Sequence, residues 1–161
     1  MKFLSYLEAS AFSEWVLTSM LGFPTLIALH SVGMAVAVGL SFMVTLHLNR
    51  VFIGFKAQLI PRLLGIAVWG FILNLITGLA LFVSRGPEYI ESYIFLIKML
   101  LVVISAMILF WLRQYLRPMN LTTEVSVADR TAKNISLIST VTWFGAVIAG
   151  RLIAYLSEIY R

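Results

Sequence analysis

The stretch Leu26–Gly39, LIALHSVGMAVAVG, lies inside an apolar run at residues 24–48 and carries one ionisable side chain, His30. A transmembrane helix needs about 20 predominantly apolar residues, and this run supplies them, with Pro24 suited to a first helical turn. An ionisable group at membrane depth is costly, roughly 2.5–3.5 kcal/mol for charged types, so its default reading is functional. His30 is therefore the first candidate site residue.

Outward from that stretch, the composition agrees. Of 161 residues 61% are hydrophobic and only 12% charged, and the mean hydropathy is +0.97. Soluble domains carry about 25% charged residues. The chain is expected to be all-α: one integral membrane domain, 1–161, built as a four-transmembrane-helix bundle with spans at 24–48, 62–84, 93–116 and 134–157. Leu4, Leu7, Ala11, Phe12, Trp15 and Val16 fall at helical spacing, with Glu8, Ser10 and Glu14 mostly opposite, which predicts an interfacial amphipathic helix over 4–19. Gly86-Pro87 within RGPEYIES predicts a turn that ends the second span. PMNLTTEVSVADRTAK is polar and expected to be exposed, with Asp129 as a candidate helix cap.

The chain has no cysteine, so disulfides, thiolate zinc sites, iron–sulfur clusters and thioether-linked haem are excluded. Its net charge of +5 first reports topology. Arg50, Lys56, Arg62, Arg113, Arg117, Arg130 and Lys133 flank the loops after spans one and three, while Lys2, Arg85 and Arg161 edge the other side. The positive-inside rule then marks those seven as cytoplasmic and predicts both termini and the Arg85–Ser92 turn outside. Tyr89, Tyr93, Tyr155 and Tyr160 would form an outer aromatic belt. Glu8 and Glu14 interrupt an N-terminal apolar region, so no cleaved signal peptide is expected, and no nucleic-acid partner is.

With that orientation, His30, Lys98 and Arg151 each lie five or six residues inside the outer end of a span. At about 1.5 Å per residue this places all three roughly 8–9 Å deep. No Asp or Glu occurs within the spans, so the two cations need an anion from Glu8, Glu14, Glu88, Glu91, Glu158 or a ligand. Haem b meets that description, with an apolar ring, an iron that takes His and propionates that pair with Lys98 and Arg151. Gly33, one turn after His30, would let the ring approach the backbone. Met99 and Lys98 are candidates for the opposite axial position, which otherwise stays open or is filled from another subunit. The bland alternatives are a His30 that bonds a neighbouring helix and cations that snorkel to lipid phosphates.

His47 lies seventeen residues after His30, about 25 Å further along the same helix, too far to share one iron. It reads as an interfacial histidine, with a copper site as the minor alternative. Gly33–Ala37, Ala35–Gly39, Gly145–Ala149 and Ala146–Gly150 are small-xxx-small pairs that serve core packing or a homo-oligomer. Gly70, Asn74 and Gly78 stack at intervals of four, so Asn74 should face a packed seam and hydrogen-bond across it.

LHSVGMAVAVG, NLITGLALF, FLIKMLLV and FGAVIAGRLIAY together resemble a family of small uncharacterised bacterial four-helix membrane proteins. The resemblance covers about a quarter of the chain. It implies a bacterial inner-membrane location and draws attention to His30, Asn74, Lys98 and Arg151. The histidine followed by glycine in an apolar helix also looks like the transmembrane part of cytochrome b561-type and copper-resistance D-type proteins. Paired bis-His haems need four histidines on several helices, and this chain has two on one helix.

No catalytic triad, paired carboxylate site, phosphate loop or nucleotide fingerprint is visible, so whether the chain is an enzyme stays open. The sequence supports a membrane haem protein for electron transfer or redox or gas sensing, with a redox partner it does not identify. It leaves open a non-enzymatic scaffold in the lipid bilayer, or a small metal-handling transporter using Met20, Met34, Met99 and His30.

Overall fold

A computed structural model describes residues 10–52, 54–90, 92–117 and 130–159. Among them the chain forms five α-helices: α1 (Ala11–Thr18), α2 (Gly22–Leu48), α3 (Ile60–Ile90), α4 (Tyr93–Leu116) and α5 (Arg130–Ile159). A short 3-10 turn, Ala57–Leu59, leads into α3. Gly22–Leu48, Ala57–Ser84, Tyr93–Leu116 and Arg130–Ile153 are each long and apolar enough to cross a membrane. Their outward side chains are apolar, with Trp69, Ile76, Leu100 and Val141 among the most exposed, a surface suited to lipid. This is the architecture of a multi-pass membrane protein.

The helix ends follow local chemistry. Ser10 caps α1 by accepting a hydrogen bond from the Ser13 amide at 3.3 Å. Ser13 and Val16 turn inward while Phe12 and Trp15 stay exposed, so α1 presents its aromatic side away from the bundle. The Ser19 hydroxyl accepts from the amides of Leu21 and Gly22, which starts α2 two residues before Pro24. At its other end Arg50 adopts a left-handed φ of 59°, while the Val51 amide donates to the Leu46 carbonyl and the Arg50 amide to His47. That is a Schellman closure with arginine in the position glycine usually takes.

Two boundaries differ from the sequence reading. α3 runs through Gly86-Pro87 to Ile90, where a turn was expected. Proline disfavours a helical residue before it partly through that residue's Cβ, and Gly86 has none. α5 starts at Arg130, four residues before the expected Asn134, because Ala132 is fully buried and tied to the bundle. Residues 1–9, which would complete the amphipathic helix, and the Asp129 cap lie outside the described residues.

α2 packs closely on α3 and α4 on α5, while α3 and α4 meet more loosely. The α2–α3 seam is set by glycines. A Cβ on Gly33 would stand 2.7 Å from the Asn74 nitrogen and 2.8 Å from the Gly70 carbonyl oxygen, so the two backbones nearly touch. The core lies toward the His47 end, where Val44, Leu48, Ile60, Leu64, Leu109, Leu112 and Leu116 are buried. Hydroxyls join helices there: Thr45 Oγ1 donates to the Ser136 carbonyl at 3.1 Å, Thr140 to Thr45 at 3.1 Å, and Ser105 to Thr142 at 2.7 Å. Of the small-residue pairs, Gly145–Ala149 and Ala146–Gly150 pack inside the bundle as Gly33–Ala37 does, while Ala35–Gly39 faces outward.

Candidate functional site

The loose contact between α3 and α4 opens a cleft of about 220 Å³ at the His30 end of the bundle. Its wall is almost wholly apolar and draws on four helices: His30 and Met34 from α2, Phe71 to Phe82 of α3, Phe95 to Val102 of α4, and Trp143 and Ala146 from α5. Phe82 and Phe95 stack at 5.6 Å and close one end. Phe71 and Trp143 meet edge to face at 6.1 Å and form the other. By residue count on α3 the cleft is about 16 Å long. Leu75, Leu79 and Met99 line it and are also substantially exposed, so they mark its mouth toward lipid.

His30 is held at one nitrogen. Its Nδ1 lies 3.0 Å from the Asn74 carbonyl oxygen and 3.2 Å from Thr77 Oγ1. Because a carbonyl only accepts, Nδ1 carries the proton when that bond forms, and Nε2 keeps its lone pair. The Thr77 hydroxyl is itself oriented by the Leu73 carbonyl at 2.7 Å. Gly78 makes room for the ring: a Cβ there would lie 3.0 Å from His30 Cε1. A histidine anchored through Nδ1–H to a carbonyl is the arrangement that metal-ligating imidazoles use.

Lys98 comes from α4 and runs past Gly150 of α5, with Nζ 3.6 Å from where a Cβ would stand. It shares the cleft wall with His30. It has no hydrogen-bond or ion-pair partner among the described residues. Two further polar atoms on cleft residues are buried and unpaired, Asn74 Oδ1 and Trp143 Nε1. The expected bond from Asn74 across the seam is therefore made by its main chain, and its side chain is left over.

The structure thus brings His30, Met34, Asn74, Lys98 and Met99 to one cleft, and adds Trp143 to them. It does not bring Gly33 or Arg151. Gly33 is filled by the backbone of α3, so it serves helix packing rather than ring access. Arg151 is exposed and outside the cleft: Gly150 faces Lys98, and the next residue on a helix points about 100° away. Met20 is 93% exposed and also lies outside it. His47, at the far end of α2, is 4% exposed and stacked on Phe55 at 4.4 Å, outside the cleft and with its Nδ1 buried and unpaired. Trp143 lines the cleft although nothing in its sequence context singles it out.

Among the described residues no three His, Asp or Glu side chains gather to hold a metal ion. No family model matches the chain, and no curated protein or solved structure matches it.

Proposed function

We propose that this is a membrane-embedded binding protein whose cleft takes a small lipophilic molecule, with hydrogen-bonding groups, from the outer half of a bacterial inner membrane. The supporting observation is that His30, Lys98, Asn74 and Trp143 are among the residues lining an otherwise apolar cavity that opens toward lipid. Ligand sites have this composition, with few polar groups fixing the orientation of an apolar body. The positive-inside count supports periplasmic termini and a cleft in the outer leaflet half.

Haem b is the second reading, and the Nδ1 anchor of His30 favours it. The donor set suits haem: a presented Nε2, a cation for a propionate and Met34 or Met99 beside the ring. The enclosed space does not suit it, since about 220 Å³ falls below the ~300–1,000 Å³ of pockets for drug-sized ligands, and a porphyrin is larger still. Under this reading the protein would serve electron transfer or redox or gas sensing. A homo-oligomer, if formed, has Ala35–Gly39 as its outward-facing small pair.

Protein purified in mild detergent separates these readings. An absorption spectrum with dithionite reduction detects haem, and solvent extraction with mass spectrometry detects a stoichiometric lipophilic compound. Extracted compound without a Soret band supports the first reading. A Soret band lost in His30→Ala and kept in His47→Ala supports the second. Neither signal, together with no shift in thermal unfolding from added lipophilic compounds, overturns both.

A further inference from the structure

We propose that the molecule bound in the cleft is a single-chain carboxylate of the fatty-acid type, held by a charge pair with Lys98. This rests on the reading of the cleft as a lipophilic binding site and names the charge and shape of its ligand. Lys98 lines the cleft and lays the end of its side chain, Cδ to Nζ, along Gly150 of α5. It has no hydrogen-bond or ion-pair partner among the described residues, and none of the four spanning segments contains Asp or Glu. An ammonium can only donate, and placing it in an apolar wall is costly unless an anion meets it. That anion is left for the ligand to bring.

The lining also has a direction. Lys98 stands three residues from Phe95, and His30 meets Gly78, which is four residues from Phe82. Both therefore lie within about 6 Å, along the bundle, of the end that the Phe82–Phe95 stack closes. Toward the other end the wall is supplied by Met34, Val102, Ala146 and the ring of Trp143, whose indole nitrogen is sealed off. From Gly150 to Trp143 is seven residues of α5, about 10 Å of wall for a hydrocarbon chain. Leu75, Leu79 and Met99 at the mouth let a longer chain continue into lipid. A volume of about 220 Å³ is small even for a drug-sized ligand, which favours one chain over the two of a phospholipid. A carboxylate brings a single negative charge to match the single lysine, whereas a phosphate monoester carries about 1.5–2. Arg151, the other basic residue at similar depth, lies outside the cleft and would not share the load.

The test uses the full chain in phosphatidylcholine nanodiscs, titrated calorimetrically with dodecanoate, dodecanol and dodecyl phosphate, with protein-free nanodiscs subtracted. Saturable dodecanoate binding is expected, about tenfold tighter than dodecanol on the same unaltered protein. Lys98→Met should weaken dodecanoate about tenfold and leave dodecanol as it was, while Arg151→Met should alter neither. Dodecanoate and dodecanol bound equally well by the unaltered protein overturns the charge pair and keeps the lipophilic site. Dodecanoate affinity that Lys98→Met leaves intact, or that Arg151→Met lowers as much, overturns the assignment to Lys98. Tighter binding of dodecyl phosphate overturns the carboxylate, and loss of dodecanoate binding when phosphatidylglycerol is added to the nanodisc overturns the single chain. Binding of no probe overturns the proposal, and overturns the lipophilic site as well in protein that also lacks haem and extracted compound.

Discussion

His30 and His47 stand on one helix, and their surroundings are opposite. His30 is half-buried, held at Nδ1 by α3, and lines a cavity with unpaired polar neighbours. His47 is buried more deeply, but its ring is covered by Phe55 and it lies outside the cleft. Depth of burial alone therefore does not mark a site. What separates the two is empty volume beside the ring, and that comes from the difference between the halves of the bundle. Near His47 the helices are sealed by leucines and by hydroxyl bonds such as Ser105–Thr142. Near His30 two helix pairs diverge, and side chains from both face a gap.

The sharpest way to break the contrast is to disturb the seam that positions His30. Gly33→Val would push against the Asn74 and Gly70 backbones and is expected to cost about 3 kcal/mol or more, read as lower thermal stability in detergent. Next comes the pair of histidines. His47→Ala should lose the Phe55 stack at a cost of about 1–2 kcal/mol while ligand or haem content stays the same. His30→Ala should change ligand or haem content far more than stability, and the reverse pattern would sink the distinction between them. Ser105→Ala removes one buried interhelical bond and should cost about 0.6–1 kcal/mol with the cleft unaffected. Gly39→Ala is expected to stay within about 0.5 kcal/mol of the parent, because no atom lies within 4 Å of the added methyl. A large loss of stability or oligomer there would instead reveal a contact at the outward Ala35–Gly39 pair.

Much of this was legible in the chain. His30, Asn74, Lys98 and Met99 stand out because polar or soft side chains are rare in apolar runs, and spacing alone placed the first and third at similar depth. Arg151 passed the same test and failed in space, since depth follows from residue count whereas facing depends on which neighbour a helix meets. Gly33 was recognised as a point of close approach but assigned the wrong visitor. Trp143 was passed over, because an indole among apolar residues gives no sign of whether its nitrogen finds a partner.

The sequence by itself determined an all-helical membrane bundle, since the length and apolarity of each span leave intrasegment hydrogen bonding as the way to satisfy the backbone. It also determined which residues were anomalous within that bundle, with His30 at their head. Only the tertiary structure decided that His30 points its anchored ring at a cleft, that Lys98 joins it without Arg151, and that Trp143 belongs there. Those outcomes depend on how closely each pair of helices packs. Packing is set by glycines and side-chain volumes meeting across helices far apart in sequence, as Gly33 meets Gly70 and Gly78 meets His30.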